Sequence, residues 1–178
     1  MDSLGSVVNS LKKGEVVAYP TEGVWGLGCD PSNEEAITKL LNLKGRSESK
    51  GLILIGSNLE QFSKFIEVEK YKDKLLEKWP GHHTWLVPSK PETSKFITGN
   101  NEKIALRLSS HKHVVELCEE FKGAIISSSA NKENDPTLES PDEIKDIFPD
   151  IKVLTGELGG HSQPSKIEDL LTGELIRG

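Results

Sequence analysis

The sequence predicts a single α/β domain with a mixed sheet, and three observations lead to this prediction. Short apolar runs, typical of buried strands, alternate with segments whose apolar residues recur at helical spacing. The 178 residues correspond to one domain of ordinary size. Short connections near Trp85 and near the C-terminal end favour antiparallel pairing beside parallel pairing. We therefore expect residues 1–178 to form one domain with helices flanking the sheet.

Helices are predicted where a capping residue precedes apolar residues at intervals of three and four. Asp2 or Ser3 caps the first helix, and Ser32 or Asn33 caps the second. In chain order, the predicted helices are 2–13, 33–43, 59–66, 71–79, 114–121 and 142–148.

Strands are predicted where short apolar runs are bounded by turn residues. In chain order, they are 15–19, 51–55, 84–87, 104–108, 124–126, 152–154, 167–171 and 175–176. Residues 132–141 are polar and rich in turn formers, so this segment is expected to be a mobile loop.

The composition excludes several classes of protein. Hydrophobic residues make up 35% and charged residues 28%, as in soluble globular proteins, and no apolar run could span a membrane. The N-terminal residues lack the order of a signal peptide, so a cytoplasmic location is expected. Cys29 and Cys118 form no CxxC pair, which favours buried thiols over a zinc site. The net charge of -6 argues against a surface specialised for nucleic acid but leaves room for a local basic pocket.

The stretch GEVVAYPTEGVWGLGCD places three glycines, Gly23, Gly26 and Gly28, directly after a predicted strand. The spacing is neither the dinucleotide fingerprint nor a phosphate-binding P-loop, because no GK[ST] follows. Thr21 and Glu22 stand at a strand end, where α/β sheets bind ligands. The pattern is compatible with a ligand-binding loop and with a plain turn.

The stretch LKGRSESKG gathers three cations, Lys44, Arg46 and Lys50, at and beyond a helix end. Cations near a helix C-terminus complement its dipole, which accounts for Lys44 and in part for Arg46. It does not account for Lys50, which stands directly before a predicted buried strand. Three cations on a short loop suit a triphosphate, since Arg offers a planar fork and Lys a point charge.

Polar residues also follow or interrupt two other predicted strands. The stretch IISSSAN has three hydroxyl side chains and one amide directly after a predicted strand. These residues are compatible with a capping turn and with a binding site for an anion or a ribose. In IALRL, strand alternation puts Arg107 on the face of Ala105, where it needs an anion partner or water. His82 and His83 are adjacent and point to opposite sides of an extended segment, so a shared metal ion is not expected.

Together these stretches resemble the YrdC/TsaC family. The resemblance rests on YPTEGVWGLGCD, LKGRSESKGLILI, WPGHHTW, ALRLSSH, SSSAN and PSKIEDLLTGELIRG, in this order and at this spacing. It covers essentially the whole chain, and its paired K-x-R and S-x-N elements make it specific. The length resembles that of the short form without an extra C-terminal domain.

The resemblance implies a fold, which is a twisted α/β sheet with a large concave cavity. It also implies an enzymatic activity. The activity is a threonylcarbamoyl-AMP synthase, which converts L-threonine, bicarbonate or CO2, and ATP into threonylcarbamoyl-AMP and pyrophosphate. Mg²⁺ accompanies the ATP, and no protein metal ligands are expected. A partner complex then transfers the threonylcarbamoyl group to adenosine in tRNAs that read ANN codons, giving N6-threonylcarbamoyladenosine.

The resemblance also implies site residues at matching positions. The K-x-R and S-x-N residues would act in catalysis and at the nucleotide. The implied ATP-binding residues are Lys44, Arg46, Lys50, Ser129, Asn131, Thr137 and Arg177. The implied threonine-binding residues are Thr21, Trp25, Arg107, Ser127 and Ser165, with Arg107 on the carboxylate and Trp25 as an aromatic wall.

The chain departs from the family pattern at a few of these positions. Many relatives have a second threonine where this chain has Gly23, and tyrosine is usual at the position of Trp25. The Ser-Gly that often follows SAN is replaced by a segment that begins at Lys132. WPGHHT stands where WPGP is usual, so that His82 replaces a proline.

Two other readings compete with the synthase. A non-catalytic RNA-binding protein, acting on double-stranded RNA in ribosome maturation, fits a basic cavity, but the net charge of -6 and the lack of an aromatic-basic motif count against it. A carbamoyl-transfer domain of a larger enzyme is less consistent with a chain that carries no companion domain or zinc motif.

Overall fold

The computed structural model describes all residues from Met1 to Gly178. The helices are α1 Leu4–Lys12, α2 Glu34–Lys44, α3 Val68–Leu76, α4 Lys95–Thr98, α5 Lys112–Phe121 and α6 Pro141–Ile147. The strands are β1 Val17–Pro20, β2 Trp25–Gly28, β3 Ile53–Gly56, β4 His83–Pro88, β5 Lys103–Leu108, β6 Ile125–Ser129, β7 Lys152–Val153, β8 Lys166–Asp169 and β9 Leu175–Arg177.

All nine strands join one mixed sheet in the order β7-β1-β2-β6-β3-β5-β4-β8-β9. The pairs β1/β7, β3/β5 and β4/β8 are parallel, and the remaining neighbours are antiparallel. The predicted combination of parallel and antiparallel strands is therefore confirmed.

The two faces of the sheet are covered to different extents. On the first face, α2, α3 and α6 pack in the main core, where strand residues such as Leu54, Leu106 and Ile126 contribute. On the second face, α1 and α5 form a smaller core with Tyr19 and Ile125. Because alternate residues of a strand point to opposite faces, each central strand contributes to both sides.

The helix ends follow local capping chemistry. Ser3 and Asn33 accept hydrogen bonds from Ser6 N–H and Ala36 N–H at the starts of α1 and α2. Helix α2 ends at Gly45, whose φ of 62° lies in the left-handed region that glycine adopts readily. This C-cap redirects the chain so that Arg46 and the residues after it leave the helix axis.

Most predicted elements are present with shifted ends, and two predictions are corrected. The GVWGLG stretch is a hairpin strand, β2, because Trp25–Gly28 pairs with Val17–Pro20. Residues 59–66 do not form an α-helix, since only a short 3-10 turn occupies Leu59–Phe62. The short helix α4 was not predicted. Cys29 and Cys118 are free and buried, as expected.

None of the helices is long and apolar enough to cross a membrane.

Candidate functional site

A pocket of about 380 Å³ lies on the second face of the sheet, beside the area that α1 and α5 cover. Its floor is formed by strand residues that share this face, including Ile53, Ala105 and Ile167. Arg107 shares the face of Ala105, as strand alternation predicts, while Leu106 points into the main core. The pocket therefore occupies a part of the sheet face where polar side chains replace a packed helix.

One end of the pocket carries Arg107 and three hydroxyl groups. Thr21, Ser127 and Ser165 line this end and are buried. The Thr21 hydroxyl donates to Val24 O at 2.7 Å, so it also closes the β1–β2 turn. Ser165 Oγ lies 2.7 Å from Thr84 Oγ1. A guanidinium among hydroxyls is a suitable environment for a small carboxylate.

Arg107 is held by a buried ion pair with Glu22. Arg107 Nη2 lies 3.3 Å from Glu22 Oε2, and both side chains are only 7% exposed. Ser109 Oγ donates to Glu22 Oε1 at 2.7 Å, and Ser110 N–H also donates to this oxygen. Burial raises the pKa of Glu22, but Arg107 and Ser109 outweigh this effect, so the pKa of Glu22 lies below its ordinary value. Arg107 Nε is buried and has no hydrogen-bond partner.

The opposite end of the pocket carries Arg46 and Lys50. Lys50 Nζ lies 2.5 Å from Glu133 Oε1, and Arg46 Nη1 lies 4.0 Å from the same oxygen. Arg46 also donates to Gly51 O at 3.1 Å, while its Nε is buried and unpartnered. Two cations that share one half-buried carboxylate form a site for a larger anion.

Lys44 is buried behind this end and organises the Ser129–Asn131 segment. Its amine donates to Ser129 O and to Asn131 O. Ser129 Oγ donates to Asn131 Oδ1 at 2.6 Å, and Asn131 Nδ2 donates to Asp135 O at 2.8 Å. Burial, with the nearby Arg46 charge, lowers the pKa of Lys44 to about 8. Lys44 thus supports the loop rather than facing the pocket.

The structure brings most of the predicted site residues into this one pocket. Those that line it are Thr21, Arg46, Lys50, Arg107, Ser127, Ser129, Ser165 and Arg177. Lys44 and Asn131 lie directly behind Ser129 and bond to each other. Thr137 is not among the lining residues. From the same segment, Glu133 faces Arg46 and Lys50, and its N–H donates to Lys44 O.

The prediction that Trp25 forms an aromatic wall of the site is wrong. Trp25 is buried in the main core on the first face of the sheet. It belongs to strand β2, so alternation sends Trp25 and Leu27 to the core and leaves Gly26 facing the pocket. The GxG spacing hid this strand, because glycine carries no side chain from which alternation can be recognised.

Sequence reasoning missed two residues that line the pocket and two ion pairs beside it. Asn101 and Lys103 line it, and Lys103 pairs with Asp169. The position of Lys103 could have been found, because it is two and four residues before Ala105 and Arg107 on the same strand face. Glu22 and Glu133 were visible in the sequence, but their pairing with Arg107 and Lys50 depends on contacts between distant segments.

The comparisons with known proteins agree with this fold. Threonylcarbamoyl-AMP synthase from Enterobacter sp. (strain 638) is 42% identical over 99% of this chain and 96% of its own length. The enzyme of the same name from Pseudomonas fluorescens (strain Pf-5) is 45% identical, over 94% and 92% respectively.

Solved structures extend the likeness. Sua5 of P. abyssi in complex with L-threonine matches with a TM-score of 0.88 and 26% identity over 98% of this chain. The chain spans about half of that protein, 53%. E. coli YciO shares the fold with a TM-score of 0.84 at 22% identity, over 98% of this chain and 87% of its own.

A family model described as "Telomere recombination", of Sua5, YciO and YrdC, matches residues 9–177. Nearly the whole chain thus fits one family in sequence and in fold. The chain belongs to the Sua5/YciO/YrdC family.

Proposed function

We propose that this chain is a threonylcarbamoyl-AMP synthase, which joins L-threonine, bicarbonate or CO2, and ATP and releases pyrophosphate. The observation that carries the proposal is a single pocket with a buried guanidinium at one end and two cations at the other. A carboxylate and a triphosphate complement these two ends. Relatives of 42% and 45% identity over nearly the whole chain carry the name of this activity.

Threonine is proposed to bind at the Arg107 end. Its carboxylate would accept from the Arg107 guanidinium, whose buried Nε has no partner in the protein. Thr21, Ser127 and Ser165 supply hydroxyl groups for the polar parts of the amino acid. The amine would then point along the pocket toward the cations.

ATP is proposed to bind at the other end, entering as its Mg²⁺ complex. Arg46 and Lys50 would bind the phosphates after Glu133 gives up its contact with them. Ser129 and Arg177 line the path from these cations toward Ser165 and are proposed to contact the nucleotide. Lys44 and Asn131 fix Ser129, and Thr137 contributes only if the segment after Asn131 moves on binding.

The chemistry needs no protein nucleophile. Bicarbonate yields CO2 and hydroxide, and the free amine of threonine attacks the carbon of CO2. The nitrogen then loses a proton, which forms water with the hydroxide, and a carbamate results. A carbamate oxygen attacks the α-phosphorus, and the bond from that phosphorus to the β-phosphate oxygen breaks as pyrophosphate leaves. Orienting the two anions and neutralising their charge supply most of the rate in such a reaction.

The product is a mixed anhydride that a second enzyme must consume. We propose that a threonylcarbamoyl-transferase complex passes the group to tRNA adenosine, and that the reaction takes place in the cytoplasm. The names of the relatives and the net charge of -6 do not favour the RNA-binding alternative.

Pyrophosphate release tests the proposal directly. The purified chain is given ATP and Mg²⁺, with L-threonine and bicarbonate added singly and together. Release that requires both supports the synthase. Folded protein that releases no pyrophosphate in the presence of both would overturn it, and salt-sensitive RNA binding indifferent to ATP would then favour the alternative.

A further inference from the structure

His82 lies directly behind Arg107, outside the residues that line the pocket. Its Nδ1 is 3.4 Å from Arg107 Nη1, and its Nε2 is 2.8 Å from the backbone oxygen of Gln163. A guanidinium can only donate and a carbonyl oxygen can only accept. The two partners therefore require a neutral imidazole with its hydrogen on Nε2.

The segment from Gly159 to Ser165 crosses the β1–β2 turn beside His82. Gly159 N–H donates to Thr21 O at 2.9 Å, and His161 N–H donates to Glu22 O at 2.9 Å. The His161 ring stacks on His82 with 4.3 Å between ring centroids. The segment ends in Ser165, which lines the pocket, so its position sets one wall of the amino-acid end.

Gly23 makes this approach possible. A Cβ atom at Gly23 would overlap the backbone oxygen of Gln163 and would lie 3.0 Å from His82 Cε1. A residue with a side chain at position 23 would therefore be sterically incompatible with the present position of residues 159–165. Gly23, His82 and Gln163 are therefore one packing unit.

The charged groups around His82 favour its neutral form. Arg107 faces it from β5, Glu22 lies beyond Arg107, and His161 stacks on its ring. Burial lowers the pKa of His82, and Arg107 and His161 act in the same direction against the opposing effects of Gln163 O and Glu22. A proton on Nδ1 would place two donors face to face and would remove the acceptor of Arg107.

We propose that His82 is a positioning residue for the amino-acid end of the pocket. Its neutral imidazole accepts from Arg107 and donates to Gln163 O, and so fixes both the guanidinium and the Ser165 wall. The proposal rests on the carboxylate role of Arg107 in the proposed function.

The test compares three substitutions of His82 and one control substitution across pH 5.5 to 8.5, with KM for threonine and KM for ATP measured separately. In wild-type protein, KM for threonine should rise as the pH falls below the ordinary histidine pKa of 6.5. His82→Ala should raise KM for threonine by about tenfold at pH 8, the effect of one hydrogen bond to a charged group, and leave KM for ATP unchanged.

The conservative variants separate the two bonds of His82. His82→Asn keeps an acceptor near Nδ1, and His82→Gln keeps a donor near Nε2. His82→Asn should retain more of the affinity for threonine than His82→Ala does. In His82→Asn, KM for threonine should no longer rise as the pH falls. His83→Gln is the matched control, since His83 faces Glu168 rather than Arg107 and should leave the threonine profile unchanged.

Two outcomes would overturn the positioning role. One is a His82→Ala protein in which KM for threonine and KM for ATP change equally, and the other is an unchanged pH profile in all variants. Calorimetric threonine binding without ATP provides a second readout, with thermal unfolding as the check on folding. Wild-type protein that binds threonine in the calorimeter but releases no pyrophosphate would count against the synthase. The positioning role of His82 would then still be tested by comparing threonine binding between wild type and the His82 variants.

Discussion

At the scale of single residues, the buried pair of Arg107 and Glu22 sets the chemistry of the end of the pocket where threonine is proposed to bind. Removing one partner leaves the other charged and buried, which costs about 3–5 kcal/mol of stability. Truncation of Arg107 would therefore confuse folding with binding. A substitution that keeps the charge isolates the geometry of the guanidinium.

We expect Arg107→Lys to fold and to lose affinity for threonine. Lysine preserves the charge opposite Glu22 but lacks the planar fork that holds a carboxylate through two bonds. KM for threonine should rise by about tenfold, with KM for ATP unchanged. Pyrophosphate release at varied threonine and ATP measures both constants.

Arg46→Lys is the matched control, because it makes the same chemical change at the cation end. It should raise KM for ATP and leave KM for threonine unchanged. If Arg107→Lys and Arg46→Lys weakened both substrates equally, the division of the pocket into two ends would be wrong.

At the scale of elements, the turn after β6 carries a carboxylate into the cation end. Asn131 Nδ2 bonds to two backbone oxygens of the turn, and Asn134 adopts φ 69°, a conformation that asparagine tolerates. The Glu133 N–H donates to Lys44 O at 2.7 Å. Glu133 is thereby held against Lys50 by backbone geometry as well as by charge.

Glu133→Gln is expected to strengthen ATP binding. The carboxylate contacts Lys50 and Arg46 and would compete with the phosphates that are proposed to bind there. Its neutralisation should therefore lower KM for ATP by a few-fold and leave KM for threonine unchanged. Asp135→Asn removes a carboxylate from the same turn that makes no ion pair, and it should have a smaller effect. A higher KM for ATP in Glu133→Gln would instead indicate that Glu133 assists the bound nucleotide.

The β1–β2 hairpin depends on a glycine for close packing. A Cβ at Gly28 would overlap Ile126 O and would lie 2.8 Å from Tyr19 Cε1. We expect Gly28→Ala to lower the free energy of unfolding by about 1–3 kcal/mol, measured by urea denaturation. Gly5→Ala in α1 meets no atom within 4 Å and should leave stability unchanged or slightly higher. Equal effects of the two substitutions would contradict the packing argument.

At the scale of the whole molecule, the sequence predicts the parts better than their arrangement. Arg107 could be placed on the strand face of Ala105 because alternate residues of a strand share a face, and Arg46 and Lys50 could be placed together because three cations lie at and beyond one helix end. The order of nine strands could not be predicted, since pairing joins segments as distant as Gly26 and Ser129. For the same reason, the contact of Glu133 with Lys50 and that of His82 with Gln163 have no local signal.

Three histidines with lowered pKa values predict how stability depends on pH. Burial lowers the pKa of His82, His83 and His111, although nearby carboxylates oppose it. The unfolded chain therefore binds more protons than the folded chain as the pH falls through 6.5, the ordinary histidine value. The pKa of Glu22 is also below its ordinary value of 4.5, which adds a second loss under more acidic conditions.

The free energy of unfolding should thus fall slightly from pH 8 to about 7, as Lys44 with its pKa of about 8 gains a proton in the folded chain, fall further from about 6.5, and fall again below about 4.5. Urea denaturation at half-unit intervals of pH measures it. Glu22→Gln should be less stable at pH 7, because Arg107 loses its partner, and should show a smaller loss below pH 4.5 while keeping the loss near pH 6. Stability that rises on acidification between pH 7 and 5 would contradict the neutral state of these histidines, since only groups that gain protons on folding have that sign.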